Sequence, residues 1–155
     1  MIQKTLTKRV LKDEKFFYFQ EENIHYFGTP YFFIKTTNDP RIYFDIESLK
    51  FDIEILKQEE VPAGIIKKVK DYLTIKDKEK FTDDMISGYK GQIKDYKFSN
   101  YERIYFDNVM LKKDYYNFCS KIIDVQEIFI DKKDNRKPVI LYNNEDMMAV
   151  IMRVI

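Results

Sequence analysis

The clearest amphipathic pattern in the chain lies between Leu111 and Ile122. Apolar residues recur there mostly three or four positions apart, which places them on one face of an α-helix. They are Leu111, Tyr115, Phe118, Cys119 and Ile122. The polar positions between them include Lys112, Lys113 and Lys121, so the predicted helix presents cations on its outer side.

The residues on either side of this helix predict β-strands. Residues 101–106 and 109–111 predict a hairpin, because Asp107-Asn108 between them tolerates the positive φ of a tight turn. After the helix, segments rich in β-branched, aromatic and methionine residues are separated by polar turn residues. These segments are residues 125–131, 138–142 and 147–154. We therefore predict an antiparallel meander, and a β-α-β-β-β order for residues 101–155.

The last segment is apolar on both faces of a strand. Every residue from Met147 to Met152 is apolar, and Val154 and Ile155 follow. A strand of this kind is either central in a sheet that is covered on both sides or part of a protein interface. Met152 and Ile155 are accordingly candidate partner-binding residues.

A second amphipathic helix is predicted for residues 3–12. Ile2, Leu6 and Val10 recur every four residues on one side. The other side carries a row of cations, namely Lys4, Lys8, Arg9 and Lys12. Such a row is either a solvated helix face or a surface that meets phosphates, since phosphate contacts need regularly placed charge and no base-specific geometry.

Aromatic and β-branched residues dominate the next part of the chain. They predict a meander of three strands, at residues 16–20, 24–36 and 41–46. The second strand is predicted to be kinked or bulged near Gly28. Tyr26, Tyr31 and Phe33 supply either filling for the core or anchors for a protein partner.

A third helix is predicted at residues 62–74. Residues 76–100 contain only short apolar pairs and are predicted to form a long linker, with one short helix at 83–87. The chain then comprises an N-terminal meander with flanking helices at residues 1–75, and a hairpin, a helix and three strands at residues 101–155, in one compact domain. The predicted fold class is α+β, with antiparallel sheet and two or three amphipathic helices packed on one face.

The C-terminal order of elements resembles a known family. Residues 137–142 (KPVILY) and 149–155 (AVIMRVI) end a pattern that resembles the closing half of a DNA sliding-clamp domain, particularly in small phage-encoded clamp-like proteins. In that family the last strand typically contains Met-Pro, and Arg153 stands here in place of the proline. The resemblance implies helices along one side of a curved sheet, and several copies joined head to tail around duplex DNA. It implies DNA contacts from both cationic helices, by Lys4, Lys8, Arg9, Lys12, Lys112, Lys113 and Lys121.

Candidate catalytic residues are few. The tetrapeptide Phe-Asp-Ile-Glu occurs at residues 44–47 and 51–54, where its carboxylates either bind Mg²⁺ for phosphodiester chemistry or form the polar face of half-buried strands. His25 is the single histidine, and Cys119 lies on the apolar face of its helix, where a buried cysteine is the ordinary interpretation. We predict no catalytic residue, no metal and no cofactor, and a chain that is not an enzyme.

Composition and charge limit the possible classes of protein further. The chain has 27 Lys and Arg against 26 Asp and Glu, a net charge of +1, so any basic surface must be made by the fold. One cysteine excludes an internal disulfide and fits a reducing compartment. No apolar run reaches membrane length. We predict a soluble protein of the host-cell cytoplasm, with no membrane partner.

Two functions are consistent with these features. The first is a non-enzymatic clamp-like protein of a phage or mobile element, which binds DNA or replication proteins as a homo-oligomer. The alternative is a small phage inhibitor of a host defence system, similar in role to an anti-CRISPR, which acts by protein–protein binding. The alternative would use the aromatic residues of the N-terminal meander as anchors.

Overall fold

The computed structural model describes most of the chain. The described residues are 2–11, 16–49, 55–56, 58–73, 85–86, 93–98, 101–106, 109–131 and 138–154. They form helices together with mostly antiparallel strands. The predicted α+β fold class is therefore confirmed.

The elements follow in chain order. The first half contains α1 (Lys4–Leu11), β1 (Phe16–Glu21), β2 (Ile24–Thr29), β3 (Phe32–Thr36), α2 (Ile46–Leu49), β4 (Ile55–Leu56) and α3 (Ala63–Leu73), with 3-10 turns at Pro40–Ile42 and Gln58–Glu60. The second half contains β5 (Met85–Ile86), β6 (Ile93–Phe98), β7 (Tyr101–Phe106), β8 (Val109–Lys112), α4 (Lys113–Ile123), β9 (Glu127–Asp131), β10 (Val139–Asn144) and β11 (Met147–Ile151). The structure thus contains the predicted C-terminal β-α-β-β-β order, and α1 and α3 lie where helices are predicted.

In the part of the chain that the structure describes, eight strands form one sheet in the order β4-β1-β2-β3-β11-β10-β9-β5. Neighbouring strands are antiparallel except β1 and β4, which are parallel. Strands β6, β7 and β8 form a separate antiparallel sheet. Strand β11 is central, with Ala149 opposite Ile34 of β3 on one side and Leu141 of β10 on the other. Because its residues from Met148 to Ile151 are buried, this apolar strand belongs to the core.

Two units with the same order of elements build the six middle strands. Each unit is a helix followed by an antiparallel three-stranded meander, α1-β1-β2-β3 in one case and α4-β9-β10-β11 in the other. The final strands of the two units pair antiparallel, with Phe33 opposite Val150. The order of the six strands is therefore related by an approximate two-fold axis at the β3–β11 pair, and the two helices contact each other.

Hydrophobic side chains cover both faces of the sheet. On one face, Leu6 of α1 and Phe118 of α4 belong to a cluster that includes Phe32 of β3. On the opposite face, Leu73 of α3 belongs to a cluster that includes Phe33. Successive strand residues point to opposite faces, so a strand that is apolar throughout needs cover on both. Two amphipathic helices lie on one face, as predicted, and α3 covers the other, which the sequence pattern did not indicate.

The single strand predicted for residues 24–36 is wrong. The structure has two strands there, β2 and β3, joined by a turn at Pro30 and Tyr31. Gly28 allows the close approach of these strands, because a Cβ on it would lie 2.1 Å from the carbonyl oxygen of Phe32. Apolar residues continue through both strands since both faces are buried, and this continuity conceals the turn.

The strand predicted for residues 41–46 is also wrong. The Asp39 carboxylate accepts a hydrogen bond of 2.9 Å from the backbone N–H of Arg41 and caps a 3-10 turn. The Asp45 carboxylate accepts one of 3.2 Å from the backbone N–H of Ser48, at the start of α2. Aspartates that bond to the backbone ahead of them favour turns and helix starts over extended chain.

Parts of the predicted linker at residues 76–100 are strands. Strand β5 pairs with β9, so the short helix predicted at 83–87 is wrong at these two residues. Strand β6 pairs with β7 along its whole length. The polar sequence of β6, IKDYKF, gives little apolar alternation, which is why it was not predicted. The rest of the predicted linker lies outside the described residues.

Candidate nucleic-acid interface

Helices α1 and α4 lie side by side on one face of the sheet. Arg9 in the last turn of α1 donates two hydrogen bonds to the Asp114 carboxylate in the first turn of α4. The Nε–Oδ2 distance is 3.0 Å and the Nη2–Oδ1 distance is 3.2 Å. This bidentate pair sets the end of one helix against the beginning of the other.

The sequence of α1 determines which residues it exposes. Leu6 and Val10 are buried against the sheet, as their four-residue spacing predicts. Lys4 and Arg9 are exposed and Lys8 is half-buried. No acidic residue occurs between the first and last positions of this helix. The outer side of α1 is therefore cationic along its length.

Helix α4 is held in place at its C-terminal end. Asp124 adopts a left-handed conformation (φ 52°) and its backbone N–H bonds to the carbonyl of Ser120. The Asn143 side chain, from β10, donates to the backbone carbonyls of Ile123 (3.1 Å) and Asp124 (2.8 Å). These bonds satisfy the end of the helix and leave Lys121 exposed on its last turn.

The other end of α4 carries two further lysines. The Nζ of Lys112 lies 5.0 Å from the centre of the Tyr115 ring, within the range of a cation–π contact. The Nζ of Lys113 lies 3.4 Å from Glu102 Oε2 on β7. Both side chains are half-buried, so each presents part of its surface to solvent.

The outer sides of α1 and α4 together form what we call the helix-pair face. Its described cations are Lys4, Lys8, Arg9, Lys112, Lys113 and Lys121. Asp114 and Glu102 reduce its positive charge, and the hydrogen bond from Arg9 to Asp114 raises the pKa of Arg9. Lys4 and Lys121 have no ion pair with any residue that the structure describes. The predicted contact residue Lys12 lies outside the described residues.

The predicted partner-binding aromatic residues are divided between core and surface. Tyr26 and Phe33 are buried in the cluster beneath α3, so they fill the core and do not present a surface to a partner. Met152 is partly buried against the same cluster. Tyr31 remains exposed, with 43% of its surface accessible. Ile155 lies outside the described residues.

The histidine and the cysteine have separate structural roles. His25 is buried, and its Nδ1 lies 2.7 Å from the hydroxyl of Tyr18 on the neighbouring strand. Cys119 is fully buried in the cluster beneath α1 and α4, and this burial raises the pKa of its thiol well above the ordinary value. A protonated, enclosed thiol is a poor nucleophile.

The carboxylates of the repeated tetrapeptide do not converge in the described part of the chain. Asp45 caps α2 and Glu47 is exposed within it. The second copy, residues 51–54, lies outside the described residues. Across the described ranges, no group of three or more His, Cys, Asp or Glu side chains is arranged to hold a metal ion.

One feature of this face was missed from the sequence. The ring of Tyr31, in the turn between β2 and β3, stacks on the ring of Tyr115 in α4. The three-residue spacing between Lys112 and Tyr115 is a local signal for their contact. The approach of Tyr31 depends on the fold, and no local pattern predicts it.

Comparisons of the chain with protein-family models, with curated proteins and with solved structures find no match. Among the helices that the structure describes, none is both long enough and apolar enough to cross a bilayer. Function is therefore inferred from the geometry of this chain.

Proposed function

We propose that the chain is a non-enzymatic protein that associates with duplex DNA through the helix-pair face. The observation that carries this proposal is the placement of α1 and α4 side by side on one face of the sheet. Cations of α1 and cations of α4, more than a hundred residues apart in sequence, thereby share one surface, and the pairing of Arg9 with Asp114 joins the two helices. A near-neutral chain thus concentrates positive charge locally.

Phosphate contacts suit this surface better than base contacts do. Lysine side chains on helix faces reach phosphate oxygens without a fixed geometry, and each contact releases counterions from the DNA. Base recognition would instead need side chains aimed into a groove at defined positions. We therefore expect binding that depends weakly on sequence and strongly on salt.

The arrangement of elements supports a clamp-like role for this surface. The chain contains two helix-plus-three-strand units joined through β3 and β11, with both helices on one face. Such a domain, joined head to tail with further copies, would line a ring with its cationic helices. The partial neutralisation by Asp114 and Glu102 would keep each contact weak, as a protein that moves along DNA requires. In this proposal the protein acts in the cytoplasm of a phage-infected host.

The proposal is tested by measuring duplex binding as a function of salt. We expect the affinity for a blunt duplex to fall linearly on a logarithmic scale as salt rises. Lys4→Glu and Lys121→Glu should each weaken binding several-fold and reduce the steepness of the salt dependence by about one unit. Lys67→Glu, a matched change at an exposed lysine on α3, should leave both quantities unchanged.

Two results would contradict the proposal. One is the absence of duplex binding at about 50 mM salt, where phosphate contacts are strong. The other is an equal loss of binding in Lys67→Glu and in the helix-pair variants. Sedimentation velocity over a range of concentrations separately tests self-association, since a ring requires several copies.

The alternative role as an inhibitor of a host defence protein has less support. It depended on exposed aromatic anchors, and of Tyr26, Tyr31 and Phe33 only Tyr31 is exposed. Anchors at interface centres need accessible surface in the free protein.

A further inference from the structure

Tyr31 is an exposed aromatic residue in a fixed position. It keeps 43% of its surface accessible, whereas Tyr115 beneath it keeps 7%. The two ring centres are 6.1 Å apart and the ring planes differ by 16°. This is an offset stack in which one face of Tyr31 rests on Tyr115, and the stack is anchored in the protein.

Several contacts hold this stack in place. The backbone N–H of Tyr31 donates to the Thr29 hydroxyl at 3.1 Å, and its carbonyl accepts from the backbone N–H of Met152 at 2.9 Å. The Tyr115 ring also packs on Phe32, with ring centres 5.2 Å apart. A second flat group that stacked on Tyr31 would therefore meet an ordered surface, and little conformational entropy would be lost on binding.

The stack lies at the margin of the helix-pair face. Lys112, whose Nζ is 5.0 Å from the Tyr115 ring centre, is the residue immediately before α4. The ion pair between Arg9 and Asp114 joins the last turn of α1 to the first turn of α4. Tyr31 and Lys112 thus both contact the ring of Tyr115, next to the end of the cationic surface. A ligand that combines a flat ring with a neighbouring negative charge matches this arrangement.

We propose that Tyr31 is a stacking platform for an unpaired nucleobase, with Lys112 placed to meet the adjacent phosphate. This inference rests on the proposed function and narrows its substrate to DNA with a single-stranded segment next to a duplex. Bases in an intact duplex are stacked on each other and present no free face. Stacking of one base on an aromatic side chain contributes enough to change affinity measurably.

The test compares two probes and three variants by fluorescence anisotropy at low salt. The probes are a thymidylate oligonucleotide of about 12 nucleotides and a blunt duplex of similar length, a size within the span of known single-strand sites. We expect Tyr31→Ala to weaken oligonucleotide binding about fivefold to a hundredfold. Its effect on the blunt duplex should be less than about twofold, since the phosphate contacts are retained.

Two variants serve as controls. Tyr31→Phe keeps the ring and should keep oligonucleotide binding close to that of the unmodified chain. Ile42→Ala removes another exposed apolar side chain, 57% accessible, in the turn after β3, and should change neither affinity. Circular dichroism of each variant verifies that the fold is intact.

The outcomes separate this inference from the proposed function. Unchanged oligonucleotide binding in Tyr31→Ala, or an equal loss with both probes, overturns the stacking platform and leaves duplex binding standing. A loss of self-association in Tyr31→Ala with unchanged nucleic-acid binding also overturns it, because the ring would then be a contact between copies. Binding of the oligonucleotide through Tyr31 without duplex binding supports the platform and removes the proposed function. Binding of neither probe removes both.

Discussion

The sheet is covered by helices on both faces, and the two coverings differ in how their charges are arranged. On the helix-pair face, α1 carries cations without a single acidic residue. On the α3 face, formed by α3 and the sheet beneath it, Lys70 pairs with Glu21 at 2.5 Å and Lys67 lies near the exposed residue Asp71 along the helix. Both faces contain acidic partners, Asp114 and Glu102 on the helix-pair face and Glu21 and Asp71 on the α3 face, and what sets the helix-pair face apart is its larger set of described cations.

This difference is not required by folding. Both faces bury a large apolar cluster, and both use amphipathic helices whose inner sides are made of similar residues. Packing alone places no demand on the sign of the outer residues, since solvated charges of either sign contribute little to stability. The concentration of cations on the helix-pair face is therefore more informative about function than about the fold.

The largest effect is expected from the core beneath the helix-pair face. Phe118 is fully buried, and its ring centre lies 5.6 Å from those of both Phe32 and Phe44. Phe118→Ala should lower the free energy of unfolding by about 3–5 kcal/mol, because the cavity between α4 and the sheet cannot collapse fully. Urea denaturation followed by circular dichroism measures this change.

The matched change on the α3 face is Leu73→Ala. Leu73 is fully buried but lies at the last position of its helix, where the backbone relaxes more readily. We expect a loss near the lower end of the range for such changes, about 2 kcal/mol. A loss that clearly exceeds that of Phe118→Ala would contradict the expectation that the core beneath α1 and α4 contributes more to stability at these two positions.

A smaller effect is expected from removing an acid on the helix-pair face. Asp114→Asn removes a carboxylate beside Arg9. It should strengthen duplex binding about twofold to tenfold, because the negative carboxylate no longer repels the phosphates of the DNA. The cost in stability should stay below about 1 kcal/mol, because the pair is largely exposed. Anisotropy titrations at fixed salt measure the affinity.

Asp71→Asn on α3 is the control for this change. Asp71 is exposed on α3, which lies on the opposite side of the sheet from the helix-pair face. It should leave duplex affinity unaltered. If both substitutions strengthen binding equally, net charge governs the affinity and the distinction between the two faces is lost.

The smallest effect is expected from the ion pair between Arg41 and Asp39, which lies outside helices α1, α3 and α4. The hydrogen bond from Arg41 lowers the pKa of Asp39 from 3.8 to about 2. A carboxyl with a lowered folded-state pKa stabilises the protein above its unfolded pKa, and this stabilisation is lost as the pH falls towards 2. The guanidinium is exposed, so solvent screening keeps the contribution small.

Asp39→Asn isolates this charge while keeping an oxygen that can cap the turn. The melting temperature of the variant should lie slightly below that of the unmodified chain at pH 7, and the two should converge between pH 4 and pH 2. A difference that grows in acid would show that another group is responsible.

Sequence alone predicted the C-terminal unit better than the N-terminal one. In α4 the apolar residues recur at helical spacing, and polar turns separate the strands that follow, so each element has a local signal. In the N-terminal unit, β2 and β3 are apolar on both faces and run into each other across Pro30 and Tyr31. Residues 41–46 were predicted as a strand from their composition, but Asp39 and Asp45 cap a 3-10 turn and helix α2 there.

The candidate site could be predicted only in part. Helical spacing predicts that the cations of α1 and α4 point away from the core. Their meeting on one face depends on β3 pairing with β11, which is a contact between the two ends of the chain. The partners that reduce the charge, Asp114 for Arg9 and Glu102 for Lys113, likewise come from other elements. Periodicity carries no information about such contacts.

The most direct test of the central claim is a nuclear magnetic resonance titration of the isotopically labelled chain with a blunt duplex at low salt. We expect amide shifts to change along α1 and in the first and last turns of α4, with Lys4 and Lys121 among them, and α3 to remain unaffected. Shifts centred on α3, or no shifts at all, would contradict the account.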